Sequence, residues 1–308
     1  MKFTHFSIFQ KIQSLGRMQI LTFVLTIFPL AIASCGLPQK AGSEVSSSTL
    51  CPFAGTELTM IVQPEAGASS VTPKVLDNVK TVLKKRVTEL GISGASIQTK
   101  GQDRLIVQLP SKTDIALAER VLPTKGQLEL RSQKRGTETQ LFAFQSSHRE
   151  LKAMEEHLRQ SSDGQAIPKN QEALKNNNEA IAELFESTIP PLTGKYIEDA
   201  YAETPQVGSN WYIGIKFAQK GDQLFTNLTK RLAGTGQSIG IFINNELVSS
   251  PTVSKDYAQK GITGGQAQIS GDFTKQQASD LAVELKSGEL PATVKILETR
   301  SVNNHNCS

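Results

Sequence analysis

The chain has 308 residues, of which 38% are hydrophobic and 20% are charged. It can therefore bury a substantial core, which excludes a disordered tail, a collagen and a small disulfide-stapled scaffold. Lys2, Lys11 and Arg17 precede residue 35 and no acidic residue does, so the formal net charge of +4 falls to +1 for the remainder. That near balance gives no indication of a nucleic-acid-binding surface.

The first 34 residues have the layout of a secretory signal peptide. A basic start precedes an apolar run over residues 20–33, which Pro29 interrupts and which is shorter than the ~20 residues of a membrane span. The run ends in Ile-Ala-Ser-Cys35-Gly, which resembles a bacterial lipobox, so we expect Cys35 to carry lipid such as palmitate. The alternative is an ordinary cysteine in an uncleaved anchor. Lipidation predicts a protein anchored on the periplasmic side of a bacterial membrane, with residues 35–50 as a Ser-rich tether.

The other two cysteines, Cys51 and Cys307, bracket the rest of the chain. In an oxidising compartment such a pair is a disulfide candidate, and the alternative is two unrelated free thiols. Neither a CxxC nor an HExxH motif occurs, and the histidines are scattered, so we expect no metal site and no cofactor.

The first half alternates strands with capped helices. Thr72 and Pro73 are an N-cap and first-turn residue for a helix that ends at Gly91, and its apolar residues recur every three or four positions. A second, short helix is predicted from Asp114 to Leu122. Strands are predicted over residues 57–63, 95–99, 104–109 and 127–131, with a hairpin turn at 100–103.

The second half has a similar organisation. A helix over residues 222–233 is followed by Asn244-Asn245, a hairpin signal. Thr274 and Gln277 form a capping box that opens a helix ending at Gly288. Strands are predicted over residues 211–217, 238–243, 246–249 and 293–298, residues 261–265 read as a turn before a strand, and residues 201–210 read as a loop.

Residues 137–190 differ in composition, being rich in Glu, Lys, Gln and Asn, and they predict an inserted helical hairpin. Two interpretations of its apolar stripes remain open: the side chains pack the two helices together, or they line a partner-binding groove. The candidate partner-binding residues are Leu151, Met154, Leu158, Ile181, Leu184 and Phe185.

Together these elements predict an α+β fold with helices on one face of a mainly antiparallel sheet. Three segments then carry a family resemblance: Arg86-Val-Thr-Glu-Leu-Gly91, Gly126-Gln-Leu-Glu-Leu-Arg131 and Leu285-Lys-Ser-Gly-Glu-Leu-Pro291. They resemble the first periplasmic domain of SecD, an auxiliary subunit of the bacterial preprotein translocase. Further short matches in the same order extend the resemblance over roughly residues 56–302.

The resemblance implies a base subdomain formed by residues 51–136 and 191–308 and a head subdomain inserted at 137–190. It also implies that both ends of the domain lie near each other, which favours the pairing of Cys51 with Cys307. SecD continues into membrane helices that carry its proton-coupled cycle, whereas this sequence ends at Ser308, so we expect no proton-coupled motor here.

The leading functional hypothesis is a lipoprotein that assists protein export by binding exported polypeptides or translocase subunits. The alternative is an envelope lipoprotein that reuses the domain as a scaffold, because a fold does not determine a function. An enzyme is not expected. Glu155-Glu156-His157 is the nearest approach to an acid-base cluster, and three adjacent residues on a helix point in different directions.

Overall fold

The computed structural model describes residues 53–64, 67–161, 164–204 and 210–302. The predicted signal peptide, the tether and the cysteines Cys35, Cys51 and Cys307 lie outside the described residues. The strands are β1 (Gly55–Val62), β2 (Ser96–Lys100), β3 (Arg104–Pro110), β4 (Leu128–Gln133), β5 (Phe185–Thr193), β6 (Ile197–Glu203), β7 (Trp211–Phe217), β8 (Ile239–Ile243), β9 (Glu246–Ser249), β10 (Gln266–Phe273) and β11 (Val294–Val302). The α-helices are α1 (Pro73–Glu89), α2 (Ile115–Val121), α3 (Glu138–Ser161), α4 (Ala166–Glu183), α5 (Gln219–Leu232) and α6 (Lys275–Ser287).

One antiparallel sheet, of order β11-β1-β3-β2, joins the two ends of the described chain. Gly55 lies opposite Val302, and Val62 lies opposite Val294. The helices α1 and α2 pack against this sheet, and their apolar residues share one core with it. We call this unit, residues 53–122 and 290–302, the terminal lobe.

Residues 128–285 form the second unit, the central lobe, which contains two more antiparallel sheets. The larger central sheet has the order β5-β4-β8-β9, and the smaller one has the order β10-β7-β6. Leu130 on β4, Ile215 on β7 and Phe225 on α5 belong to the core that these sheets share with α5 and α6.

The helices α3 and α4 contact the opposite face of the larger central sheet. A separate apolar cluster makes this contact, and it consists of Leu141, Ile181, Leu184, Phe185 and Phe242. The strand β8 is therefore covered on both faces, and all five of its residues are buried. The predicted insertion at 137–190 comprises α3, α4 and the beginning of β5.

The predictions that depended on local signals are confirmed. The side chains of Thr72 and Asp114 accept hydrogen bonds from backbone amides in the first turns of α1 and α2. Thr274 and Gln277 form both halves of the capping box at α6. Asn244 and Asn245 have φ of 51° and 68°, the left-handed pair that a tight hairpin turn requires. The α+β fold class and the antiparallel pairing are also confirmed.

Two local predictions are wrong. Residues 201–203 are not part of a loop, because β6 extends to Glu203, where it pairs with Tyr212 of β7. Phe185 does not belong to a helix, because it is the first residue of β5 and lies opposite Gln133 of β4. Both strands depend on pairing with a distant segment, and short-range periodicity does not report such pairing.

Candidate functional site

The central lobe contains an apolar cavity of about 280 Å³ between its two sheets. Leu130, Ile239 and Ile241 line it from the larger central sheet. The rest of the lining comes from the smaller central sheet, α5 and the connecting loops, and includes Ile215, Phe225, Thr229, Pro251, Val253, Ile262, Ala267 and Ile269. Such a lining offers contact to apolar groups and few hydrogen-bonding partners.

One wall of the cavity belongs to β10, the edge strand of the smaller central sheet. Its neighbour β7 pairs with it on one side only, with Ala267 opposite Ile215 and Ile269 opposite Ile213. Because side chains alternate along a strand, Ala267 and Ile269 share the face that joins the core. An edge strand also presents unpaired backbone N–H and C=O groups along its outer side.

The loop before β10 closes the cavity over α5. The hydroxyl of Thr226 donates to the carbonyl of Ile262 at 2.9 Å, and the amide of Ile262 donates to the Thr229 hydroxyl oxygen at 2.9 Å. Gly261 has φ of 70°, and a Cβ there would lie 2.3 Å from the Thr226 carbonyl oxygen. Only glycine fits this close approach. The glycine-rich segment 261–265 is thus a turn before a strand, as the sequence indicated.

The structure separates the six candidate partner-binding residues into two groups. Ile181, Leu184 and Phe185 are buried in the cluster that holds α3 and α4 on the larger central sheet. Leu151 and Leu158 are half-buried, and Met154 is 49% exposed. The first three residues are therefore packing residues, and the six do not form one accessible groove.

The residues that line the cavity were not predicted from the sequence. They come from β4, β7, α5, β8, β10 and the connection between β9 and β10, so no local window contains them together. One signal was present: Ile239 and Ile241 alternate on β8, as Ala267 and Ile269 do on β10. Such alternation identifies the core-facing side of each strand. It gives no information on whether a cavity remains between the two sheets.

A second cavity, of about 340 Å³, is polar and lies between α3, α4 and the turn that joins β8 to β9. Its charges are paired locally. Lys152 Nζ lies 3.9 Å from Glu155 and 3.6 Å from Glu246, and Lys175 Nζ lies 3.8 Å from Glu179. These exposed ion pairs leave no concentrated charge of one sign for a ligand.

The Glu155-Glu156-His157 segment does not form an acid-base site. Glu155 accepts a hydrogen bond from Arg159 at 2.9 Å, which lowers the pKa of its carboxyl group and keeps it ionised. Glu156 and His157 are exposed. In the described residues, no three His, Cys, Asp or Glu side chains come together as a group that could hold a metal ion. No described helix is both long and apolar enough to cross a bilayer.

Two family models match the chain, over residues 76–135 and 171–292. The model described as "Protein translocase subunit SecDF, P1 domain, N-terminal" matches residues 76–135, which run from the first turn of α1 through β2, β3 and α2 to the end of β4. The model described as "SecDF, P1 head subdomain" matches residues 171–292, which cover most of the central lobe. The head match therefore begins inside α4 and continues through α6.

The chain is similar to two proteins named "Protein translocase subunit SecD". The protein of Synechocystis sp. is 38% identical over 293 residues, which cover 93% of this chain and 60% of the relative. The protein of Prochlorococcus marinus is 29% identical over 311 residues, covering 92% of this chain and 60% of the relative. The chain thus spans 60% of the length of these two relatives.

Two solved structures share the fold. "Structure and function of a membrane component SecDF that enhances protein export" matches with a TM-score of 0.57 and 26% identity, covering 80% of this chain and all of the other. "Crystal structure of SecDF in Super-membrane-facing form" matches with a TM-score of 0.56 and 25% identity, covering 80% of this chain and 30% of that one. The profile matches, the sequence relatives and the structures agree: the described region of this chain belongs to the P1-domain family of SecD and SecDF.

Proposed function

We propose that this protein assists protein export on the periplasmic side of a bacterial membrane by binding extended segments of exported polypeptides. The observation that carries the proposal is the apolar cavity beside the edge strand β10. The relatives support it, because they are named as subunits of the protein translocase.

The cavity and the edge strand β10 together can bind polypeptides of many different sequences. An extended segment that pairs with β10 gains main-chain hydrogen bonds, which do not depend on its side chains. Every second side chain of such a segment points to the same face. Apolar side chains on that face gain burial in the cavity at about 25 cal/mol per Å². Polypeptides that have not yet folded expose both kinds of group.

The location and the partners belong to the same proposal. We propose that residues 1–34 are a signal peptide, that Cys35 carries lipid and that residues 35–50 form a tether. All of these residues lie outside the described part of the chain. Translocase subunits are the other proposed partners, since the relatives carry that name. Binding without turnover is the proposed mode of action, with no cofactor.

Filling the cavity tests the binding site. We expect Ala267→Phe to weaken binding of an unfolded apolar polypeptide about tenfold, because the new ring occupies the space that a bound side chain needs. The matched control is Ala202→Phe on β6, the opposite edge of the same sheet, where the alanine also packs against the core. Fluorescence anisotropy measures affinity and thermal unfolding monitors stability. Equal affinity of the Ala267→Phe protein and the wild type would contradict the site.

Capture from native membranes tests the role in export. The tagged full chain is crosslinked in cells, and the recovered proteins are compared among wild type, Ala267→Phe, Ala202→Phe and Cys35→Ser. Recovery of translocase subunits or precursors by wild type, reduced for Cys35→Ser, supports an export function. Recovery of only mature envelope proteins favours the alternative scaffold.

We also propose a disulfide between Cys51 and Cys307. The support comes from the register of β1 and β11. Gly55 lies opposite Val302 at one end of the paired strands, and Cys51 precedes Gly55 in sequence while Cys307 follows Val302. Cys51 is four positions before Gly55, and Cys307 is five positions after Val302. At about 3.3 Å per residue, both arms are long enough for the sulfur atoms to meet.

We expect the oxidised protein to resist thiol alkylation at Cys51 and Cys307 until a reductant is added. Closing a loop of this length contributes at most roughly 5 kcal/mol, so reduction lowers the thermal midpoint. Cys51→Ser and Cys307→Ser are expected to have the same effect as the reductant, whereas Cys35→Ser is not. Full alkylation of the native, unreduced protein at both positions would refute the bridge.

A further inference from the structure

The chain passes between the two lobes twice, and the two crossings lie side by side. The terminal core ends at Leu122 and resumes at Leu290, while the central core extends from Leu128 to Leu285. The first crossing is therefore residues 123–127 and the second is residues 286–289. The amide of Leu290 donates to the carbonyl of Lys125 at 2.8 Å, which joins the crossings directly.

A single buried arginine binds both crossings. Arg86 on α1 is fully buried, and its Nη1 donates to the carbonyl oxygens of Val121 and Leu122, both at 2.9 Å, and of Thr124. Its Nη2 donates to the carbonyl oxygens of Lys125 at 3.3 Å and of Gly288 at 3.2 Å. The end of α2, the first crossing and the second crossing therefore share one guanidinium group.

Glycine at position 126 makes room for this arrangement. Gly126 has φ of 68°, and a Cβ there would lie 2.8 Å from Arg86 Nη2 and 3.3 Å from the Cβ of Glu284. Glu284 lies on α6 and is 7% exposed. The junction thus contains a buried carboxyl group from the central lobe and a buried guanidinium from the terminal lobe.

Burial determines the charge state of this pair. Loss of hydration raises the pKa of Glu284 to about 7, although Arg86 and Thr124 both favour the ionised form. The same burial lowers the pKa of Arg86 to about 10, so the guanidinium stays charged at neutral pH.

The other charged groups of the interface form their own pairs and keep contact with solvent. Arg120 lies 2.8 Å from Asp280, Lys125 lies 3.5 Å from Glu289, and Lys286 lies 3.1 Å from Glu89 and 3.3 Å from Asp199. Asp280 also raises the pKa of Glu284 slightly, because its charge is of the same sign. The side chain of Asp280 is 14% exposed and the others are about one third to one half exposed, so Glu284, at 7%, is the most deeply buried acidic group at the junction.

We propose that Arg86 and Glu284 form a proton-sensitive clamp at the two crossings, which holds the lobes together while the carboxyl group is neutral and weakens when it ionises. The proposal does not depend on the polypeptide-binding function. Separation of the lobes brings water to Glu284, and a hydrated carboxylate is far more stable than a buried one.

Linkage fixes the sign and size of the effect. The closed junction has the raised pKa of about 7 and the open junction has the ordinary value of 4.5. The closed state therefore binds more protons between these values, and it loses stability relative to the open state as pH rises through that window. From pH 5.5 to pH 8.5 the equilibrium constant for closing the junction is expected to fall about 30-fold, and most of this decrease occurs below pH 7.5.

Hydrogen exchange of the full chain measures this equilibrium. The reporting amide is that of Leu290, which is bonded to the Lys125 carbonyl and so joins the two crossings. Protection factors, corrected for the intrinsic pH dependence of exchange, are expected to fall about 30-fold between pH 5.5 and pH 8.5. Amides of β1 and β3 serve as internal references for global unfolding.

Two variants assign the effect to one carboxyl group. Glu284→Gln keeps the shape and removes the titration, so its protection at the crossings is expected to be independent of pH. Glu289→Gln, which removes the neighbouring partner of Lys125, is expected to keep the wild-type pH profile. A flat wild-type profile would overturn the proposal, and so would an unchanged pH dependence in Glu284→Gln. The wild-type profile decides the question even if Glu284→Gln fails to fold.

Discussion

Replacing Arg86 with methionine is expected to lower the free energy of unfolding by about 3–5 kcal/mol, because each buried acceptor left without a donor costs about 1–3 kcal/mol. The substitution leaves five carbonyl acceptors at the junction without their donor. It also removes the positive charge that favours the ionised form of Glu284. Methionine fills the space of the aliphatic stem, so the loss is mainly electrostatic. Urea denaturation followed by circular dichroism measures it.

Arg104→Met is the matched control. Arg104 begins β3, its side chain is half-exposed, and its contact to Asp103 is 4.0 Å long. We expect a change of no more than about 0.5 kcal/mol there, since exposed ion pairs contribute little. Arg86→Lys keeps the charge but lacks the planar fork, so it is expected to fall between wild type and Arg86→Met. Equal losses for Arg86→Met and Arg104→Met would contradict the assigned role of the junction.

Phe242→Ala is expected to cost about 3–5 kcal/mol, the usual range for removing a buried phenylalanine ring. Phe242 is 1% exposed, its ring centroid lies 5.2 Å from that of Phe185 in an edge-to-face contact, and the Arg131 guanidinium lies 4.3 Å from it. The ring joins the larger central sheet to α3 and α4. Its removal therefore loosens both helices as well as creating a cavity.

Phe142→Ala makes the same chemical change where no core is affected. Phe142 lies on α3 and is 69% exposed, and alanine is a good helix former, so we expect a change of no more than about 0.5 kcal/mol. Unfolding measured by denaturant and hydrogen exchange in α3 and α4 compares the two variants. If Phe242→Ala leaves exchange in both helices unchanged, the cluster does not hold them on the sheet.

Features governed by neighbours in sequence were predictable. The caps at Thr72 and Thr274 depend on contacts three residues away, and both were identified from the residue types alone. The alternation from Trp211 to Phe217 likewise predicted β7 with its observed bounds. Such signals need no knowledge of the rest of the chain.

The rest depended on distant segments. Leu184 and Phe185 continue the helical spacing of Ile181, yet pairing with β4 turns Phe185 into the start of a strand. Helical spacing also identified the apolar face of α4, but it gives no information on what covers that face, and here Phe242 of the protein's own sheet does so. The apolar cavity was beyond prediction because its lining comes from four strands, α5 and the connection between β9 and β10.

The pairing of β1 with β11 has a consequence for the order of folding. A chain that emerges from its N-terminus presents β1 long before β11, since about 230 residues separate Val62 from Val294. The central lobe is contiguous in sequence and can acquire its core in the meantime. Until β11 arrives, β1 remains an open edge in a half-finished sheet, the state in which chains aggregate most readily. The strand β11, the last of the described strands to be synthesised, therefore completes the sheet to which β1 belongs.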